Sequence, residues 1–174
     1  MAIIFTVGHS THPLQEFLDM LTDNGVEQLV DVRKLPGSRR FPHFDQDALR
    51  ESLAGVGIGY DWVEPLTGRR KVSTTVPFEV NAFWNNRSFH NYADHALSEE
   101  FVSAVDKLVD APRPTVLLCS EAVWWRCHRR IITDHLLARG VEVTHIMGPG
   151  QTQTATLTAG AVVGPDHQVT YPAG

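Results

Sequence analysis

The chain has 174 residues, of which 43% are hydrophobic and 20% charged, and its formal net charge is -5. This composition excludes a disordered chain and a protein that coats nucleic acid through overall positive charge, and the length suffices to bury a core without disulfide staples. Net charge averages over the surface, so a local basic patch stays open. Two cysteines and no signal-peptide pattern predict a reducing, cytoplasmic setting. No run approaches the roughly 18 apolar residues of a membrane helix, so no membrane partner is expected.

In chain order, Ile3-Ile4-Phe5-Thr6-Val7 is a short apolar run closed by Gly8 and reads as a buried strand. Leu14, Phe17, Leu18 and Leu21 recur at helical spacing after Pro13 and before Gly25, which predicts a first helix. Val26 to Arg33 reads as a second strand. Asp45 is placed to cap a second helix with Leu49, Leu53 and Val56 on its inner face. Gly57 to Val63 is a third strand. The stretch from Leu66 to Leu97 mixes Gly, Pro, Asn, Arg and aromatics without clear period, and a long excursion of this kind is usually functional or flexible.

Regularity returns at Ser98-Glu99-Glu100, an N-terminal cap with acidic first-turn residues, followed by Phe101, Val105 and Leu108 on one face. Thr115 to Cys119 is a wholly apolar strand. A helix is predicted from about Arg126 to Arg139, and a last strand from Val141 to Met147. The segment 148–174 is rich in Thr, Gly and Pro and is expected to be loosely structured or to form a hairpin. Strands alternating with helices predict one α/β domain over 1–174, Rossmann-like and three-layered, with a mostly parallel sheet between helices. In such sheets a ligand sits outside the carboxyl ends of the strands. Those ends carry Gly8-His9-Ser10, Asp31-Val32-Arg33, Val63-Glu64-Pro65 and Cys119-Ser120-Glu121. Their polar residues are expected to converge on one edge.

Cys119 ends a buried strand, and Cys127 opens the helix that follows. A thiolate at a helix N-terminus is favoured by the dipole and by nearby cations, here Arg126, Arg129 and Arg130. This points to a reactive thiol, a redox pair or metal ligands, against the alternative that both cysteines simply pack. A cysteine-phosphatase loop does not fit. Arg126 follows Cys119 after six residues and Arg129 after nine, a longer spacing than one phosphate-wrapping turn, and Trp124-Trp125 stand where small residues belong. Zinc on Cys119, Cys127 and His128, with His9 or Glu121, is weakened by adjacency, since neighbouring helical side chains point about 100° apart. No metal and no cofactor is therefore implied. Ser10, His9 and Asp31 lack the Gly-x-Ser-x-Gly elbow of a hydrolase triad. Gly55 to Gly59 precedes a strand, which makes it a turn and not a dinucleotide fingerprint.

Arginines form a second theme. Arg33, Arg39-Arg40, Arg69-Arg70, Arg126 and Arg129 lie in or beside the same predicted loops, with Gly37 and Ser38 supplying an approachable backbone. Gathered on one edge, they suit a phosphate, a nucleotide or a nucleic-acid backbone. Taken singly, each is as readily a solvated residue or a partner of Asp31 or Glu64. Interleaved aromatics permit base stacking, although most are expected to cover the core edge. Trp124-Trp125 is the exception, because both cannot be buried on one strand-to-helix turn.

An ordered string of motifs then carries a resemblance. It comprises Thr6-Val7-Gly8-His9-Ser10, Asp31-Val32-Arg33, Pro36-Gly37-Ser38-Arg39 with Phe44, Gly57-Ile58-Gly59-Tyr60, Leu66-Thr67-Gly68-Arg69, Cys119-Ser120-Glu121, Cys127-His128-Arg129 and His145-Ile146. Along nearly its whole length the chain resembles the bacterial and archaeal family named domain of unknown function 488, and the tail residues Ala161-Val162-Val163 and Tyr171-Pro172 are similar to those of one subgroup. The resemblance implies an α/β fold and a shared pocket, and supplies no reaction. Position by position it implies Gly8, His9, Ser10, Asp31, Arg33, Ser38, Arg39, Cys119, Glu121, Cys127, His128 and Arg129. Two departures stand out: Thr67-Gly68-Arg69 in place of a Gly-Gly-Arg-like turn, and Trp124-Trp125 in place of a small or polar connection.

Three functional readings follow. In the first, Arg33, Arg129 and their neighbours hold a phosphate-bearing anion, Cys119 or Cys127 acts as nucleophile or redox group, and Glu121 with His9 or His128 moves protons. The second is a non-catalytic nucleic-acid-binding module. The third is rhodanese-like sulfur transfer, suggested by the Asp-Val-Arg strand end and a cysteine after a buried strand.

Overall fold

The computed structural model describes residues 2–173. Met1 and Gly174, the ends of the expected domain, lie outside the described residues. Five parallel strands and one antiparallel strand form a six-stranded sheet. In chain order these are β1 (Ile4–Gly8), β2 (Gln28–Asp31), β3 (Gly59–Trp62), β4 (Thr115–Cys119), β5 (Val143–Gly148) and β6 (Gln151–Thr154). Their spatial order is β3-β2-β4-β1-β5-β6, with β6 antiparallel to β5. The helices are α1 (Leu14–Asp23), α2 (Gln46–Ala54), α3 (Arg87–His95), α4 (Glu99–Val109) and α5 (Arg129–Ala138). No helix among the described residues is long and apolar enough to cross a membrane.

Strand alternation builds two cores, one on each face of the sheet. In β4 the side chains Val116 and Leu118 point to one face and Leu117 and Cys119 to the other. The first face is covered by Phe17, Leu18 and Leu21 of α1 and Leu49 and Leu53 of α2. The second is covered by Phe101, Val105 and Leu108 of α4 and Ile131, Ile132 and Leu136 of α5. Every β4 side chain is buried, so a near-continuous apolar strand is what this position demands. The result is the three-layer α/β architecture expected from the alternation of elements.

Several boundaries differ from expectation for local reasons. α2 ends at Ala54, so Val56 is 40% exposed and is no part of the inner face. Asp45 stands at the N-cap position of α2, but its carboxylate accepts the backbone N–H of Ser38 at 3.0 Å instead of a helix amide. The expected helix from Arg126 begins at Arg129. A 3-10 turn, Trp124–Arg126, precedes it and leaves Cys127 outside the helix. The excursion 66–97 is less irregular than its sequence, because α3 forms within it. Asn86 caps α3 by accepting the Phe89 N–H at 3.2 Å. α3 buries polar residues, including His90, Asn91 and Asp94, which hides the apolar period that would have marked it.

The C-terminal segment is tied down at both ends. β6 pairs with β5, and Val162–Val163 (β7) pairs with Val169–Thr170 (β8). Tyr171 is fully buried, donating its hydroxyl to Asp134 at 2.6 Å while its N–H meets the Asn81 side chain at 3.0 Å.

Candidate functional site

The carboxyl ends of β1, β2 and β4 open into a cavity of about 750 Å³. Its wall includes His9, Ser10, Arg33, Ser38, Cys119, Glu121, Cys127 and His128 from the expected set. Gly8, Asp31 and Arg129 stand behind that wall, and Arg39 is exposed outside it while Arg40 lines it. The Val63-Glu64-Pro65 strand end is elsewhere: Glu64 pairs with Arg70 at 3.0 Å.

Close approach of β1 to the loop after β4 makes the site possible. The Ser10 N–H donates to the Ser120 carbonyl at 3.0 Å, and the His9 N–H to the Cys119 carbonyl at 2.9 Å. A Cβ at Gly8 would sit 1.7 Å from the Glu121 carbonyl oxygen, so no larger residue fits there without moving backbone.

Arg129 is fully buried and is the largest such side chain. Its Nη1 lies against Cys119 Sγ and donates to the Glu121 carbonyl at 2.7 Å; its Nη2 donates to the Ala122 carbonyl at 3.3 Å. Among the described residues it meets no carboxylate, and its Nε has no partner. A buried guanidinium needs a counter-charge, and the Cys119 sulfur is the group in place to supply it. Burial alone would raise the Cys119 thiol, but a hydrogen bond from the Cys127 thiol and the charge of Arg129 outweigh it and bring the pKa down to about 7 from an ordinary 9.0. Burial, with the neighbouring Cys119 sulfur, pushes Cys127 the other way. Cys127 Sγ also accepts the Arg129 N–H at 3.4 Å, a cap-like contact at the start of α5.

The two site histidines, His9 and His128, are neutral. His128 Nε2 carries the proton and donates to the Val32 carbonyl at 2.9 Å, so Nδ1 is the acceptor, 3.6 Å from Cys127 Sγ. Burial lowers its pKa to about 4. Its ring rests on Gly68, where a Cβ would come within 2.9 Å of Nδ1. Burial also lowers His9 to about 4; Nδ1 donates to the Ser10 carbonyl at 2.9 Å and the ring stacks on Phe44 at 4.4 Å. His9 Nε2 is thereby left as a base. Glu121 contributes differently from expectation: its carboxylate is exposed, and its carbonyl is the atom built into the site.

Arg33 also differs from its expected role as an anion holder. Its Nε and Nη2 bind Asp31 at 2.9 and 2.7 Å, and its Nη1 donates to the Phe44 carbonyl at 2.7 Å. Asp31 accepts the Tyr60 hydroxyl at 2.6 Å as well. The pair is thus a neutral buried strut. The other cations on the cavity wall are Lys34, Arg40, Arg69 and Arg126, all four exposed; Lys34 lies 3.9 Å from Glu64, and Arg40, Arg69 and Arg126 have no carboxylate partner among the described residues. Arg69 and Ser10 both adopt left-handed backbone, φ 58° and 46°, on this wall. Strain of this kind concentrates where the surrounding structure over-determines a residue.

α3 and its cap supply a further wall: the aromatics Phe89 and Tyr92 were expected near these loops, but Asn86, Ser88 and the helix that places them were not. Tyr92 donates to the Leu66 carbonyl at 2.7 Å and packs on His128 at 4.8 Å between ring centroids. The usable signal was Asn86 ahead of Ser88-Phe89, a capping residue before a helix turn. Trp124 stacks on His145 at 4.7 Å, and Trp125 is 44% exposed, so the two tryptophans do divide between cover and surface. Among the described residues no group of three or more His, Cys, Asp or Glu is placed to hold a metal ion.

Comparison with curated proteins and with solved structures returns no match. The family described as domain of unknown function DUF488 matches residues 13–136, more than half of the chain. The matched span holds Asp31, Arg33, Gly68, Cys119 and Cys127-His128-Arg129, and stops short of Gly8-His9-Ser10 and His145-Ile146. With that span matched and its cysteines and arginines assembled at one sheet edge, the chain belongs to the DUF488 family.

Proposed function

We propose that the cavity binds a phosphate-bearing small ligand, such as a nucleotide, beside a Cys119 thiolate that serves as nucleophile. The observation that carries this is the charge of the wall. Lys34, Arg40, Arg69 and Arg126 face one lining carboxylate, Glu121, in a protein of net charge -5. Arg33 is neutralised by Asp31, Arg129 by the Cys119 sulfur and Lys34 is shared with Glu64, so Arg40, Arg69 and Arg126 remain for the ligand. Neutral His9 is the base at hand on the same wall. A volume of about 750 Å³ suits a mononucleotide-sized molecule.

Alkylation tests the reading. Anionic iodoacetate should modify Cys119 faster than neutral iodoacetamide, with a rate that rises through about pH 7, and inorganic phosphate or a nucleoside monophosphate should protect the thiol. Equal rates for the two reagents and no protection would remove the anion-binding reading. Arg69→Gly separates fold from function. Glycine relieves the left-handed backbone and should raise stability by about 1 kcal/mol, while protection by phosphate weakens. Thermal melts and the protection assay read the two effects separately.

A further inference from the structure

Cys119 and Cys127 line one cavity and share one cation. Arg129 Nη1 lies against Cys119 Sγ, and the Arg129 N–H donates to Cys127 Sγ at 3.4 Å. The 3-10 turn Trp124–Arg126 folds the chain back between them, with the Cys127 N–H donating to the Trp124 carbonyl at 3.2 Å. The turn thereby brings the Cys127 thiol onto the cavity wall that holds the Cys119 sulfur, with Arg129 touching both. Both thiols are free and nearly buried, at 3% and 6% exposure, yet both reach the cavity wall, so a small oxidant has a path to them. The two differ in state as an attacking and a resolving thiol must, Cys119 tending to thiolate and Cys127 to thiol.

We infer that Cys119 and Cys127 form a dithiol–disulfide couple that reduces a small hydroperoxide. The Cys119 thiolate attacks the terminal peroxide oxygen. The S–O bond forms, the O–O bond breaks, and the alkoxide or hydroxide that leaves takes a proton from solvent. Cys119 is now a sulfenic acid, oxidised by two electrons. The Cys127 sulfur then attacks the Cys119 sulfur; the S–S bond forms, the S–O bond breaks, and the Cys127 proton departs with the hydroxide as water. A small-molecule dithiol returns two electrons and two protons to regenerate both thiols. The contact of Arg129 Nη1 with Cys119 holds the attacking group in its charged form, and its backbone contact orients Cys127. The couple shares Cys119 with the anion-binding reading but uses no phosphate ligand.

Mass spectrometry after stoichiometric hydrogen peroxide, in the absence of phosphate, decides the matter. The wild-type chain should lose two hydrogens and both alkylatable thiols, with a Cys119–Cys127 linked peptide that a dithiol reverses. Cys127→Ser should instead gain one oxygen at Cys119 that a sulfenic-acid probe traps. Overoxidation of Cys119 with Cys127 still alkylatable in the wild-type chain would overturn the couple, as would a disulfide joining two copies of the chain. Because wild-type protein gives the primary readout, a poorly folded variant does not blur the result. Phosphate protection of Cys119 survives or fails independently.

Discussion

Acidification below about pH 6.5 should progressively destabilise this protein, most of its stability being withdrawn by about pH 4. Burial lowers His9, His128 and His145 to about 4 and His135 to about 3, from an ordinary 6.5. Cations add to the effect: Arg33 near His9, Arg129 near His128 and His145, Arg139 near His135. Each ring is neutral in the folded protein and protonates freely once unfolded. The unfolded chain therefore binds more protons between pH 6.5 and 4, so stability is complete above that window and falls as the pH falls through it. Each ring withdraws about 1.4 kcal/mol per pH unit in the window. Four rings acting together withdraw about 14 kcal/mol by pH 4, comparable to the roughly 5–15 kcal/mol stability of an ordinary domain. Urea midpoints measured across the window should drop steeply, and a midpoint that stays constant would refute the argument. His135→Phe should flatten the slope, since it removes one titrating ring and two nitrogens that are buried without partners among the described residues.

Arg129→Met gives the second large effect, on stability and reactivity together. The substitution keeps an apolar stem and removes the guanidinium that binds the Glu121 and Ala122 carbonyls and the Cys119 sulfur. The loop after β4 then loses the clasp that shapes it, and its acceptors lose their donors. The expected cost is about 3–5 kcal/mol, in the range for removing one partner of a buried charged contact. Without the adjacent cation, the Cys119 pKa rises from about 7 toward its ordinary 9.0, with the Cys127 interaction still opposing burial. Alkylation at about pH 7 should slow by about 10-fold or more. Arg129→Lys retains a charge but not the fork, so it should fall between the two. A folded Arg129→Met protein whose Cys119 still titrates near 7 would show that the arginine does not hold the thiolate. Chemical denaturation and ultraviolet thiolate absorbance measure the two effects.

Much of the framework was legible from local signals. The run Ile4 to Gly8, the helical spacing of Phe17, Leu18 and Leu21, the Ser98 cap and the apolar Thr115 to Cys119 each declare their element over a few residues. The Ser98 side chain accepts the Phe101 N–H at 3.3 Å, as the capping pattern requires. α3 escaped notice because its buried face is polar, and polar burial leaves no hydrophobic period. The tail escaped because its anchor, Tyr171 on Asp134, joins residues 37 positions apart.

The strand-end cysteines and arginines were thus determined by the sequence itself, because strand direction and the position of each loop follow from short-range periodicity. Which cation serves which purpose was decided only by the tertiary structure. Arg33 turns back on Asp31, two residues away, while Arg129 reaches across to Cys119, and Arg40 lines the cavity that Arg39 does not. The Arg33–Asp31 pair is local in sequence, but the hold of Arg33 on the Phe44 carbonyl and of Arg129 on Cys119 and the Glu121 carbonyl depends on how the loops close. A buried charge is paid for by whichever partner the packing brings within reach, and that partner is invisible until the loops have closed.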